Sequence, residues 1–376
     1  MNEKEISEIR RRFRPEKNNI GNVYGCYVNA QGEIVSEFTQ SLGLMPEEEA
    51  EELLSVLKKT LSGKLGKNLI GVEFATAQVA NSEEHRLLMA LRNSSLKDEN
   101  ALHAFYQKVS GVLRMEGGYL ILLAGENYDV PFRSQDGIQQ DDASSEVYSY
   151  VVCAICPIKS RKPALSYAAN ENEFRTQKAD WLVGTPELGF LFPAFEDRAA
   201  NIYSSLYYTR ETSGEHQEFA DAIFSVPLPM PADEQKETFG AVLTETLESE
   251  CSLDVMQSIH EQIREKIQEH KEEGNEEPLR LSRRDAQQVM RNCGVSEERA
   301  EAFAEKYAES FAGQDGPTPE NLVNTKQFQI STPDVVIRVN PDHSDLVETR
   351  IINGRKYLLI PADNDVQVNG IRVTVS

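Results

Sequence analysis

Cys153-Ala154-Ile155-Cys156 has the C-x-x-C spacing of zinc ligands and of redox pairs. A zinc site needs two further soft ligands, and a redox pair wants one cysteine at a helix N-terminus. The surrounding stretch, Val147 to Ile158, reads instead as a strand, in which residues three apart point to opposite faces. The two thiols are therefore expected to be small buried hydrophobes. Gly63-Lys64-Leu65-Gly66-Lys67-Asn68 has the outline of a phosphate loop. It follows a helix signal and precedes a strand, and Asn68 stands where Ser or Thr would hold magnesium. A helix-capping loop is expected, with Lys58, Lys59, Lys64 and Lys67 forming an anion-facing patch. His260-Glu261 opens H-E-x-x-H, but the fifth position is Arg264, a cation that cannot ligate zinc. Asp363, Asp365, Gln367 and Asn369 have calcium-loop spacing, with Thr374 at the position of the bidentate Glu, so the polar face of a strand is expected there. Neither G-x-S-x-G nor G-x-G-x-x-G occurs. No metal and no cofactor are expected.

Two groups remain as candidate binding residues. Arg10, Arg11, Arg12 and Arg14 form the densest basic cluster, suited to phosphate, nucleic acid or an acidic protein partner. On a helix, Arg12 also stands four residues from Glu8 and would pair with it on a solvated face. Trp181, Glu187, Phe190, Phe192, Asp197 and Arg198 combine aromatics with charges. They would either line a pocket, the alternative reading as an enzyme of unknown class, or plug the core, with Tyr203 and Tyr207 on a following helix. Residues 282–311 have helix-turn-helix spacing. The second helix carries Glu297, Glu298, Glu301, Glu305 and Glu309 against Arg299 and Lys306, a charge that would repel a duplex, so a structural helical hairpin is expected.

The elements that must position these residues follow from periodicity. Ile6, Ile9 and Phe13 lie on one helical stripe that ends at Pro15. A hairpin is predicted over Val23–Val28 and Glu33–Phe38, with its turn at Asn29–Gly32. Pro46 suits a first helical position, and Leu53, Leu54, Leu57 and Leu61 supply that helix's buried stripe. Further helices are predicted at 82–93 and 97–112, then a buried strand at Tyr119–Ala124, a mobile loop at 134–146 and a strand at Val147–Ile158. Pro227, Pro229 and Pro231 mark a boundary. Beyond it, residues 232–320 carry 22 acidic and 10 basic residues, a net of −12 out of −22 for the chain, in helical periodicity. Asn353-Gly354 and Asn369-Gly370, each between apolar runs, predict hairpins. There is no internal repeat. The expected organisation is α+β: an N-terminal mixed sheet-and-helix domain (1–226), an acidic helical region (232–316) and a small C-terminal antiparallel β module (322–376).

With 376 residues and 40% hydrophobic content the chain has enough apolar material to fold, as two or three domains. A net charge of −22 argues against coating nucleic acid by bulk charge and leaves only local patches for it. No apolar run approaches the roughly 18 residues of a membrane helix, and no membrane association is expected. MNEKEISEIRRRF lacks the apolar core of a secretory signal, and five cysteines do not form a disulfide framework, so the cytoplasm is expected.

KEISEIRRRFRPEKNNIGNVYGCYVNAQGEIVSEF, SLGLMPEEEAEELLSVLKKTLSGKLGKNL and PELGFLFPAFEDRAANIYSSLYYTR resemble a family of bacterial proteins defined only as a domain of unknown function, over nearly the whole length. That resemblance implies no activity and no catalytic residues. In architecture, with an α+β start, a charged helical middle and a β finish opening Asn324-Thr325-Lys326-Gln327-Phe328-Gln329-Ile330, the chain also resembles the bacterial nucleoid-associated family, which is likewise acidic. The combined expectation is a cytoplasmic binding or interaction protein without a catalytic motif, associated with the nucleoid or with a protein partner.

Overall fold

The structure, a computed structural model, describes residues 1–133, 139–161, 164–168, 172–177, 180–212, 216–273, 279–312, 316–362, 366–368 and 370–373. The fold is α+β, and the chain divides into two compact units, Met1–Pro231 and Ala232–Ser376, at the proline cluster.

In the first unit the order is α1 (Glu3–Arg12), β1 (Asn22–Val28), β2 (Ile34–Ser41), α2 (Glu47–Lys59), β3 (Leu69–Glu73), α3 (Thr76–Asn81), α4 (Glu83–Asn93), α5 (Glu99–Val112), β4 (Tyr119–Arg133) and β5 (Gln139–Arg161). There follow β6 (Ala164–Ala168), β7 (Glu173–Gln177), β8 (Asp180–Val183), β9 (Leu188–Phe192), β10 (Ala194–Glu196), β11 (Ala199–Asn201), β12 (Ser204–Thr209) and α6 (Gln217–Phe224). The sheet runs β2-β1-β4-β5-β9-β12-β3 with β8 paired to β5, and its neighbours are antiparallel.

Helices cover both faces, which is why the central strands read as continuous apolar runs. On one face α4, α5 and α6 bury Leu88, Phe105 and Phe219 against Ile121, Cys153 and Phe190. On the other, α1 and α2 bury Ile6, Ile9, Leu54 and Leu57 against Leu122, Ala154 and Cys156. The period of two along β5 thus sends Cys153 and Cys156 into different cores. Burial raises both thiols, Cys156 to about 12, which leaves them protonated and unreactive at neutral pH.

Three expectations are corrected. Residues 139–146 of the expected mobile loop continue β5, paired to β4, while residues 134–138 lie outside the described residues. Residues 204–209 form a central strand rather than a helix, with Tyr207 buried and Tyr203 exposed just before it. Its side chains are buried on both faces, so there is no polar alternation to betray the strand. Pro46 caps the second helix instead of opening it, a shift of one position.

The second unit contains α7 (Ala232–Leu247), α8 (Leu253–Glu273), α9 (Arg283–Asn292), α10 (Glu297–Ser310) and α11 (Pro319–Leu322). Short hairpins follow: β13 (Phe328–Ser331) with β14 (Val336–Val339), β15 (Glu348–Ile352) with β16 (Arg355–Leu359), and β17 (Gln367–Val368) with β18 (Ile371–Arg372). The expected C-terminal β module therefore falls in one unit with the acidic helices. Asn353 and Gly354 both have positive φ, 52° and 79°, as a two-residue primed turn requires. In the helical hairpin, α10 packs Phe303 and Tyr307 against Phe239 of α7, and the Tyr307 hydroxyl donates to Leu281 O at 2.6 Å. Several acidic groups meet nearby cations: Glu245 pairs with Lys306 and Glu248 with Arg299. Asp363, Asp365, Asn369 and Thr374 lie outside the described residues.

Candidate functional site, a polar cleft at the start of strand β1

Strand β1 begins at Asn22, whereas its neighbour β4 runs on. Val23 pairs with Ala124, and from Gly125 onward β4 is paired only to β5. The mismatch leaves a step in the sheet. The inward positions of β4 along this stretch are Leu122, Ala124, Glu126, Tyr128 and Val130, so the period of two places a carboxylate in an apolar row. Glu126 is 4% exposed, and burying a charge in this way is costly unless it is paired and hydrogen-bonded.

Its partners come from three elements. Arg12, at the last turn of α1, donates to Oε1 through Nε at 3.0 Å and through Nη2. The Asn19 N–H donates to the same oxygen at 3.0 Å, and the Tyr150 hydroxyl donates to Oε2. Arg12 also lies over the Tyr128 ring, 4.7 Å from its centroid. Burial first, and then the Glu126 charge, push the Tyr150 phenol well above its ordinary value, so it remains a donor. Both oxygens of Glu126 are therefore engaged, and its role is to tie α1 and the segment before β1 to the sheet.

Above this tie lies a cleft of about 290 Å³ whose charged lining residues are Arg92, Lys97 and Glu126. Asn19, Asn22 and Asn127 supply polar edges. Arg92 sits in the last turn of α4, where a cation suits the helix dipole. Its Nε donates to Ser149 O at 2.8 Å and its Nη1 to Asn93 Oδ1 at 3.3 Å. Among the described residues its Nη2 has no partner, and Lys97 makes no ion pair. Ser95 and Leu96, between α4 and α5, both have positive φ, 49° and 61°. Adjacent left-handed conformations in non-glycine residues are strained, and such strain is concentrated at ligand sites.

A second lobe of about 460 Å³ adjoins the first across Tyr24 and Lys97, which line both. It is walled by Glu37, Phe38, Leu96, Glu99, Leu102 and Tyr106. Gly25 permits this wall, because a Cβ there would overlap the Phe38 ring.

The residues singled out in the sequence are dispersed. The expected Arg12–Glu8 pair is replaced by Arg12–Glu126; Glu8 instead accepts from the Tyr128 hydroxyl and pairs with Arg198 at 3.1 Å. The competitor is a buried carboxylate 114 residues away, invisible to helical spacing. Arg10 is half-buried, Arg11 and Arg14 are exposed, and among the described residues none of the three makes an ion pair. Lys58 and Lys59 end α2, and Lys64 and Lys67 lie in the loop after it, where Gly63 (φ 114°) allows the turn.

The six residues Trp181, Glu187, Phe190, Phe192, Asp197 and Arg198 do not converge. Trp181 is exposed against Tyr27 with ring centroids 5.9 Å apart, and Glu187 pairs with Arg210 at 2.8 Å. Phe190 and Phe192 are fully buried, Phe192 beside the equally buried His85. Asp197 and Arg198, with φ of 49° and 62°, make the turn between β10 and β11. Asp197 N–H donates to Glu5 at 2.8 Å, which together with the Arg198–Glu8 pair docks that turn on α1. The cleft residues Arg92, Lys97 and Tyr106 carried no local spacing signal. Glu126 did: it is the acidic member of an alternating apolar row.

Among the described residues there is no group of three or more His, Cys, Asp or Glu able to hold a metal ion, and no helix long and apolar enough to cross a membrane. Fold and cleft together define an α+β protein with a polar, cation-edged recess built on an antiparallel sheet. The chain belongs to the family described as Domain of unknown function (DUF4317), whose model matches residues 1–371. Neither a curated protein nor a solved structure matches it.

Proposed function

We propose that this is a non-catalytic binding protein whose first unit takes a small oxyanion, such as a phosphate ester or carboxylate, in the cleft beside Arg92 and Lys97. The observation that carries the reading is the local reversal of charge. In a chain of net charge −22, the cleft's edge offers two cations, and its one carboxylate, Glu126, is already neutralised by Arg12. A guanidinium with an unused donor suits planar or tetrahedral oxyanions. A reducing compartment, hence the cytoplasm, fits five unpaired cysteines.

Titration calorimetry with phenyl phosphate tests the reading. Arg92→Ala is expected to weaken binding by roughly tenfold or more, the usual scale for one charge-assisted hydrogen bond. Lys97→Ala is expected to weaken it less, because an exposed ammonium contributes mainly a screened point charge. Equal affinity in wild type and Arg92→Ala would refute the assignment.

A second reading, contact with nucleic acid, is supported by the exposure of Arg11 and Arg14 and by Arg10, Arg11 and Arg14 making no ion pair among the described residues. With Arg12 committed to Glu126, three cations remain there, for a log–log salt slope of roughly −2 to −3.

A further inference from the structure

On the face of the sheet that α4 and α5 cover, the inward positions are apolar: Cys26 of β1, Leu123 of β4 and Val151 of β5. Toward the cleft the same period of two continues with Tyr24 and Asn22 of β1, Gly125 and Asn127 of β4, and Ser149 of β5. Thr39 of β2 stands opposite Tyr24, and Ser149 opposite Asn127, so four adjacent strands share one polar strip. Among the described residues, Asn22, Tyr24, Thr39, Asn127 and Ser149 make no side-chain hydrogen bond. Exposure to water alone asks for polar residues there, but not for these. Asn and Gly are poor strand formers, and in a chain with 27% charged residues the strip carries no charge. Breaches of a local rule of this kind are expected at functional sites.

A carboxamide offers donors and an acceptor together, and Ser, Thr and Tyr hydroxyls do the same. Such groups match ligand hydroxyls, which are also both donor and acceptor. Arg92 stands at one end of the strip, its Nε on Ser149 O at 2.8 Å, and Lys97 lines both lobes. At the other end Glu37 and Glu99 wall the second lobe and disfavour a second anion. From β5 across β4 to β1 is two strand spacings, roughly 10 Å, enough for a small sugar and its phosphate. Resting on the oxyanion reading, we infer that the ligand is a sugar monophosphate: its phosphate sits at Arg92 and Lys97, and its hydroxyls lie along the strip at Asn127, Asn22 and Tyr24. Two cations suit a phosphate monoester, which carries about two negative charges at neutral pH. The carboxamides of Asn22 and Asn127 are then the groups that select among oxyanions.

The test is calorimetry on the full chain with phenyl phosphate, ribose 5-phosphate, glucose 6-phosphate, fructose 1,6-bisphosphate and glucose. At least one of the two sugar monophosphates is expected to bind roughly tenfold tighter than phenyl phosphate, the scale of one or two neutral hydrogen bonds, and the bisphosphate more weakly than that sugar monophosphate. The double variant Asn22→Ala, Asn127→Ala is expected to abolish that gain and leave phenyl phosphate unchanged. It is also expected to keep or raise the melting temperature, because both positions are exposed and alanine strands no partner. Sugar monophosphates that bind no tighter than phenyl phosphate, or a gain that survives the double variant, overturn the inference while leaving the oxyanion reading intact. Glucose binding that depends on the two carboxamides and is indifferent to Arg92→Ala and to the phosphate sinks the oxyanion reading and, with it, the sugar phosphate. A marked loss of stability in the double variant shows that the carboxamides serve the fold, and overturns the inference. Silence from all five ligands overturns both readings.

Discussion

Replacement of Glu126 by alanine is expected to lower the melting temperature of the first unit by roughly 6–12 °C. The estimate takes about 3 kcal/mol for breaking a buried ion pair, at about 2–4 °C per kcal/mol for a unit of this size. The loss is large because three donors are stranded together: the Arg12 guanidinium, the Asn19 N–H and the Tyr150 hydroxyl. Tyr150→Phe removes a single hydrogen bond and is expected to cost about 1 kcal/mol. Scanning calorimetry reads both. An alanine variant that melts with the wild type would mean that the tie is not formed. The same geometry makes Arg12→Glu a folding mutation, since it would set two carboxylates against each other in the sheet. Charge reversals meant to probe surface recognition belong at Arg11 and Arg14, which are exposed.

Phe190→Ala is expected to cost about 3–5 kcal/mol, the range for truncating a buried aromatic. The ring is fully buried, with centroids 5.9 Å from Phe105 and 5.6 Å from Phe224, and so joins α5 and α6 to the middle of the sheet. Denaturant unfolding gives the number directly. A pocket-lining phenylalanine, the alternative that the sequence leaves open, would instead show a change under about 1 kcal/mol, the level of most surface substitutions. A small change would therefore reopen the aromatic segment as a site.

The contrast between Phe190 and Glu126 shows what the chain discloses. Elements with one buried face announce themselves: Ile6 and Ile9 on α1, Leu54 and Leu57 on α2, and the capped starts of α4 and α9 at Ser82 and Ser282 are legible from period and cap alone, whereas the Ser296 hydroxyl makes no cap on α10 and donates to Glu250 instead. The faces of Cys153 and Cys156 follow from strand geometry in the same way. Strand β12 is not legible, because Leu206, Tyr207 and Tyr208 are buried on both sides and a short apolar run fits helix and strand equally.

The cleft is harder still. Arg92 ends a helix, Lys97 lies in the next loop, and Tyr106 is one apolar-face residue among several on α5, so no spacing links them. They meet only because β1 starts late against β4 and α4 and α5 pack beside that step. Glu126 alone left a trace, a carboxylate at an inward position of a strand. For its partner Arg12, helical spacing offers only Glu8 as a counter-ion, whereas the carboxylate it meets in the fold lies 114 residues away.

The central claim is that the cleft, rather than the basic end of α1, is where this protein meets an anion. The most direct measurement is a backbone amide chemical-shift titration of the whole chain with phenyl phosphate. Saturable shifts are expected at Asn22, Lys97, Gly125, Asn127 and Ser149, and they should be lost in Arg92→Ala. Shifts confined to Arg10, Arg11 and Arg14, and insensitive to Arg92, would contradict the account and move the binding site to α1.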